Sequence, residues 1–212
     1  MNVSKERRGT RDRLLDAACD IFVERGFDDA TVAEICARAE ANVAALNYHF
    51  GNKAAAYRAA YLRAFEESAV QFPFAADAAL APEDRLAAHV HSILKRMNHD
   101  GEASRFDKMR NWEDIRPTGI VDDVDEEVLA AARSHMLDCL TAIIGAEVTP
   151  EQLLLCEASV LGMARMVLPF NRRHIALFAH RRIDDAMIDT LTAHIVAVAL
   201  GGLRHAIARD QR

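Results

Sequence analysis

The chain has 212 residues, with 26 Lys and Arg against 32 Asp and Glu and a formal net charge of −6. That length allows one substantial core, or a small domain of about 50 residues joined to a larger one, and the acidic balance excludes broad coating of nucleic acid while permitting a local basic surface. Residues 1–63 hold ten Lys and Arg against nine Asp and Glu, leaving sixteen against twenty-three for the rest, so any DNA contact must be concentrated at the N-terminal end.

No run of eighteen apolar residues occurs, and the first twenty residues are too charged for a secretory signal, which gives the expectation of a cytoplasmic protein. Cys19, Cys36, Cys139 and Cys156 lie far apart within helical patterns and form no CxxC pair. They are expected as small buried apolar side chains, without zinc or a disulfide framework. Alternating apolar runs and Asn-Gly turns are missing while a 3.6-residue period recurs throughout, so the expected fold class is all-α.

The polar stretch Met1 to Gly9, with Arg11 and Arg13 beyond it, carries five basic residues against Glu6 and Asp12. It reads either as a solvated tail or as an arm that follows the DNA backbone. A first helix is expected from Arg11 to Arg25, with Thr10 as its cap, Gly26 as its stop and Leu14, Ala18, Ile21 and Phe22 as its buried stripe. Two short helices follow, Thr31 to Ala39 and Val43 to Phe50, joined by Glu40, Ala41 and Asn42. Thr31 and Glu34 spell a capping box at the start of the first. Such short amphipathic helices need a third to cover them, and a trihelical unit of this kind carries a helix-turn-helix whose second helix enters the DNA major groove.

Gly51 and Asn52 break and recap the chain, and a fourth helix is expected from Lys53 to Phe72, ended by Pro73. Pro82, Glu83 and Asp84 open a fifth, to Met97. The segment from Asn98 to Asp123 is the least regular, with a short helix over Phe106 to Ile115. A strong amphipathic helix covers Asp123 to Ile144. Thr149, Pro150 and Gln152 spell a second capping box for a helix to Leu168, stopped by Pro169 and apolar on nearly every side, which implies cover from more than one direction. A basic connection over Asn171 to Arg182 leads to a last helix, Asp185 to Ala208.

The strings LLDAACDIFVERGF at Leu14 to Phe27 and ATVAEICARAEANVAALNYHFGNK at Ala30 to Lys53 together resemble the DNA-binding domain of the TetR family of bacterial transcriptional regulators. The combination of Phe-x-x-x-Gly-Phe, the Thr-initiated helix and Asn-Tyr-His-Phe-Gly-x-Lys is specific, and the likeness covers about the first 65 residues. The LLCEASVLGMARM helix and the Arg-Pro after Trp112 resemble one branch of that family more weakly. The resemblance implies a homodimer, usually a repressor, whose C-terminal helical domain binds a small effector and pairs through its last two long helices. The implied layout is an arm and helix-turn-helix domain at 1–52 and an effector-binding and dimerisation domain at 53–212, connected by the helix from Lys53. One departure stands out: the family usually has glycine where this chain has Glu40, and a non-glycine residue at positive φ costs roughly 1 kcal/mol.

Advancing 100° per residue from Val43 puts Val43, Leu46 and Phe50 on the inner face of the recognition helix, Asn47 at its margin, and Ala44, Ala45, Tyr48 and His49 outward. Ala44 and Ala45 allow close approach and contact with thymine methyls, while Tyr48 and His49 can donate to phosphate or bases. Asn42 either caps the helix or pairs with an adenine edge. Lys53 opposes the macrodipole of its own helix, which suits a phosphate clamp, and Thr31 offers a second one.

For the dimer interface the candidates are Ala158, Leu161 and Gly162 on one helix and Ile195, Ala199, Gly202 and Ala206 on the other. An ordinary intramolecular core is the alternative. For the effector pocket they are Phe106, Met109, Trp112, His135, Met163 and Met166. No metal-ligand pair, cofactor motif or nucleophile-base cluster can be assembled, so neither a metal, a cofactor nor an enzyme is expected. The competing function is a helical interaction protein whose DNA-binding head has degenerated.

Overall fold

A computed structural model describes residues 9–73, 79–99, 101–145, 148–179 and 183–210, and the side chains of these except 166–179 and 203–210. Among the described residues the structure is all-α, without a strand. The helices are α1 (Thr10–Asp29), α2 (Val32–Arg38), α3 (Val43–Phe50), α4 (Lys53–Gln71), α5 (Pro82–Asn98), α6 (Arg105–Ile115), α7 (Asp122–Ile144), α8 (Pro150–Ala179) and α9 (Asp185–Asp210). A single 3₁₀ turn, Glu102–Ser104, leads into α6.

The chain forms two compact units, residues 1–71 with 101–128, and residues 72–100 with 129–212. This packing departs from a division between residues 52 and 53. Helix α4 belongs with α1 to α3 and with α6, because Tyr57 and Tyr61 on it are fully buried. Tyr57 meets the ring of Phe22 edge-on at 4.8 Å, and Tyr61 meets Phe106 at 5.2 Å. Both phenols are also tied down: Tyr57 donates to Glu113 and Tyr61 to Asp125. Burial, reinforced by these carboxylates, pushes both hydroxyls far above their ordinary range, so they stay protonated donors.

The stripe expected on α1 is found: Leu14, Ala18, Ile21 and Phe22 are all 3 % exposed or less, and α1 packs on α2, α3, α4 and α6, which bring the buried Ile35, Leu46, Tyr57 and Phe106. Cys19 belongs to the same core, where burial pushes its thiol up to about 12. All four cysteines are free and buried.

Helix α1 differs from its expectation at its start. Gly9 rather than Thr10 stands at the cap, with no side-chain hydrogen bond. Gly26 breaks the helix as expected: it leaves helical space with φ 72° and ψ −177°, and a short helical turn resumes beyond this kink to Asp29. That backbone region is open essentially to glycine alone.

In the second unit α5, α8 and α9 pack together, with Leu86, Val90, Ile93, Cys156, Val160, Ala164, Ile188, Ile195 and Ala199 in one cluster that Met136 and Leu140 of α7 join. Arg133 forks onto the buried Glu157 with Nε–Oε1 2.8 Å and Nη2–Oε2 2.9 Å. The capping box at α8 is present, with Thr149 N donating to Gln152 at 2.9 Å and Gln152 N to the threonine hydroxyl at 3.2 Å. Pro169, expected to end that helix, is passed: α8 continues to Ala179. An interior proline costs a helix about 3 kcal/mol, and the 30 residues of α8 absorb it. Arg172, Arg173, Arg181 and Arg182 of the basic connection have side chains outside the described residues, as does the arm at 1–8.

Residues 185–202 of α9 are long and apolar enough to cross a membrane by length and composition, and 28 % of that window is buried. No run of purely apolar residues signalled this, because threonine, glycine and histidine are mixed into it.

Candidate DNA-binding surface

The geometry of the surface begins at the turn between α2 and α3. Thr31 caps α2 through the expected box: Glu34 N donates to the Thr31 hydroxyl at 3.2 Å, and Thr31 N donates to Glu34 at 3.0 Å. The Thr31 hydroxyl in turn donates to Glu34 at 2.7 Å, and Arg25 neutralises that carboxylate at 3.0 Å. At the other end of α2, Ala41 N reaches back to Cys36 O at 2.9 Å and Glu40 N to Ala37 O at 3.3 Å. This pair of bonds is the Schellman closure, which requires a left-handed residue between them. Glu40 supplies it with φ 50°, the sole described non-glycine residue at positive φ.

Asn42 caps α3, its side-chain oxygen accepting from Ala45 N at 2.8 Å, so the capping role is the one seen. The helix presents a different face from the one expected. Leu46 is fully buried, Ala45, His49 and Phe50 are half-buried, and Val43, Ala44, Asn47 and Tyr48 are exposed. Val43, placed on the inner face by its apolar character, is 48 % exposed, and Tyr48 is 85 % exposed. The helix is rolled so that Ala45 and His49 turn toward the head while Val43 and Asn47 come outward. Leu46 alone anchors it, and a single anchor sets the roll more freely than a full stripe would.

At the end of α3, Gly51 turns with φ 84° and Asn52 caps α4 by accepting from Ala55 N at 2.8 Å. Lys53 follows. Its ammonium donates to Asp28 O at 3.3 Å and lies 4.4 Å above the ring of Phe27. The lysine is therefore held against the end of α1, with donor capacity to spare, since an ammonium carries three N–H groups. Arg11, 5.4 Å from the centroid of Phe50, brings a second cation to the recognition helix. In the sequence Arg11 belongs to a basic stretch that reads as a solvated tail or as an arm along the DNA backbone; nothing in the spacing announces that it lies in α1 and stands over Phe50.

Two acids of this region are paired, Glu24 with Arg38 at 2.6 Å and Glu34 with Arg25, whereas Glu40 in the turn is exposed. The exposed side of α3 offers methyl groups, one amide and one phenol, with Arg11 over Phe50 at its C-terminal end and Lys53 just beyond it. Residues 39–52 contain no lysine or arginine of their own.

The matches to known proteins follow this division of labour. Residues 14–60 match the family model of bacterial regulatory proteins, tetR family. Residues 82–203, more than half of the chain, match the C-terminal domain of the HTH-type transcriptional dual regulator CecR. The chain belongs to the TetR family. This TetR-family regulator is 28 % identical over 161 residues to the dual regulator CecR of Shigella flexneri, covering 71 % of either protein. It is also 35 % identical over 71 residues to the regulator UidR of Escherichia coli K12, covering 34 % of this chain and 36 % of that one. The fatty acid degradation regulator FadR of Bacillus halodurans shares the fold with TM-score 0.62 and 18 % identity, over 94 % of this chain and 99 % of that one. A transcriptional regulator of Rhodococcus sp. Rha1 shares it with TM-score 0.64 and 20 % identity, over 92 % and 97 %. The protein is thus a transcriptional regulator with a DNA-binding helix-turn-helix.

The residues expected at an effector pocket are divided between the two units. Phe106 and Met109 are completely buried in the core of the first unit. Trp112 belongs to the same unit and donates its indole N–H to Val23 O at 3.1 Å, so it fastens α6 to α1. His135 and Met163 lie in the other unit, and the side chain of Met166 is outside the described residues. Aromatic and sulfur side chains fill cores and pockets alike, and composition alone does not separate the two.

The expected dimer residues also divide. Ala158, Gly162 and Gly202 are exposed and Leu161 is half-buried, whereas Ile195 and Ala199 are 2 % and 4 % exposed inside the second unit's own cluster. Ala206 has its side chain outside the described residues. Between 193 and 202 the exposed residues of α9 are Ala193, His194, Ala197, Val198, Gly201 and the expected Gly202.

Proposed function

We propose that the protein is a homodimeric cytoplasmic repressor that binds a palindromic operator and leaves it when a small molecule enters its C-terminal unit. The observation that carries the DNA reading is the face of α3: Val43, Ala44, Asn47 and Tyr48 are exposed above a buried Leu46, with the cation of Arg11 over Phe50 at the end of the helix and Lys53 three residues on. In this reading α3 enters the major groove, and Lys53, Arg11 and the exposed Thr31 lie along the sugar-phosphate edge. Ala45 and His49 support the helix from its flank.

Dimerisation follows from what α8 and α9 leave uncovered. Leu154 is 52 % exposed, Leu155 61 % and Val198 48 %, and between them Ala158, Gly162, Ala193, Ala197 and Gly201 offer small side chains that let two helices approach closely. A second copy of the same face would cover this apolar strip, and the carboxylates of Asp185 and Asp189 on α9 suit a protein partner better than lipid. A lone recognition helix with few charged contacts binds weakly, so two half-sites about one helical turn apart are required.

In this reading the effector binds in the second unit, and support comes from Arg85 Nε and His135 Nε2, which are buried without a hydrogen-bond partner. Buried polar atoms of this kind are normally satisfied, and a polar group of a ligand would do so. The relative from Shigella flexneri is named a dual regulator, which gives specific ground for a second reading in which some promoters are activated.

Selection of genomic fragments on the purified protein at low salt tests the whole reading. Retention of a palindromic fragment whose release steepens with salt supports it. Retention of no fragment refutes it and favours a helical interaction protein with a degenerate head. A reporter carrying the fragment then reads the sign of regulation.

A further inference from the structure

Taking α3 as the recognition helix, we propose that it reads thymine by its 5-methyl group, with Val43 and Ala44 as the residues that set this preference and Asn47 reading an adenine beside it. The face that leaves the molecule is made of two rows. Val43 and Asn47 stand one turn apart in the first, and Ala44 and Tyr48 in the second. All four are exposed, and Val43 at 48 % finds no place in the core that holds Leu46.

A single exposed valine on a protein surface is ordinary. This one stands on a helix that carries no lysine, arginine, glutamine, serine or threonine between Val43 and Phe50, so the bidentate donor that normally selects guanine is missing from it. The remaining chemistry is two aliphatic groups, an amide, a phenol and a half-buried imidazole. In the major groove only thymine offers an apolar target, its C5-methyl, and adenine is the base that an asparagine amide matches with both its donor and its acceptor. The row of Val43 and Asn47 is therefore complementary to a thymine beside an adenine, and Ala44 is small enough to let a second methyl approach the helix backbone. Asn42 does not share this work, because its oxygen is already engaged by Ala45 N.

The test uses the full-length protein and duplexes enriched by it from a randomised library. Enrichment of A·T pairs within each half-site is expected. Each thymine there is then replaced by uracil, which removes the methyl and leaves every hydrogen-bonding edge unchanged. Loss of affinity of about fourfold per methyl is expected at the contacted positions. Val43→Ala should weaken the thymine duplex and leave the uracil duplex bound as wild type binds it; Val43 is half exposed, so this variant keeps the fold. A uracil duplex held as tightly as the thymine one, or enriched sites rich in G·C at these positions, overturns the inference while leaving the DNA-binding reading intact. Enrichment of no sequence at all overturns both.

Discussion

The ring of Trp112 lies so close to Gly26 that a Cβ added there would stand 3.0 Å from its Cδ2 and 3.2 Å from its Cε3. The contact joins α6 to the C-terminal turn of α1, and the same turn supplies the carbonyl of Asp28 and the ring of Phe27 that hold Lys53. Gly26 is needed twice over, for its backbone angles and for the space it leaves. Gly26→Ala should cost about 3 kcal/mol, the upper part of the range for a residue forced into glycine-only backbone space, with Trp112 displaced as well. Urea unfolding followed by fluorescence checks this directly, since Trp112 is the one tryptophan of the chain. A loss below about 0.5 kcal/mol, the level of an ordinary surface change, would contradict it.

Glu40 completes the turn before the recognition helix in a conformation that disfavours it. Glu40→Gly should raise stability by roughly 1 kcal/mol, because the left-handed conformation carries no Cβ penalty in glycine. It also removes a negative charge near the DNA-facing edge, so affinity for the retained fragment should rise, and more at low salt than at high. Unchanged affinity at every salt concentration would show that the charge of Glu40 is of no consequence to DNA.

Much of the fold is legible in the sequence because helix boundaries are written as local chemistry. Thr31 with Glu34, Asn42, Asn52 and Thr149 with Gln152 each mark a helix start by a side chain that accepts a nearby backbone N–H. What local chemistry does not encode is the direction in which a helix faces. Val43 looks like core and is half exposed; Ile195 and Ala199 look like interface and are core. In both cases the apolar residues nearly encircle the helix, so periodicity leaves the roll open and tertiary packing decides it. Trp112 and Pro169 mislead for a related reason: one fits a pocket as well as a helix junction, and the other breaks helices that lack enough length on either side to hold it.

The ion pair between Glu24 and Arg38 ties α2 to α1 through two hydrogen bonds of 2.6 and 2.9 Å. Those hydrogen bonds hold the Glu24 carboxyl below its ordinary 4.5. A depressed carboxylate contributes its stabilisation fully above the ordinary value and loses it as pH falls through the lower native one. Both side chains are well exposed, so the contribution is below about 1 kcal/mol. An NMR titration should find the Glu24 midpoint below 4.5 and see it rise in Arg38→Ala; a midpoint indifferent to that substitution would contradict the pairing.

The uncovered strip on α8 and α9 can be tested without DNA. Leu155 is 61 % exposed, so Leu155→Arg leaves the core of its own unit untouched. Sedimentation should show the wild type as a dimer and this variant as a monomer, with unchanged helical content. Wild type sedimenting as a monomer at all concentrations would remove the symmetric dimer from the account.

The most direct measurement places one carboxylate on the proposed reading face. Ala44→Glu keeps a good helix former at an exposed position, so folding should not change. Fluorescence anisotropy with a fragment retained by the wild type should then show affinity falling at least tenfold, with an unaltered melting curve. Equal affinity of wild type and variant for that fragment would mean that the exposed side of α3 does not touch DNA.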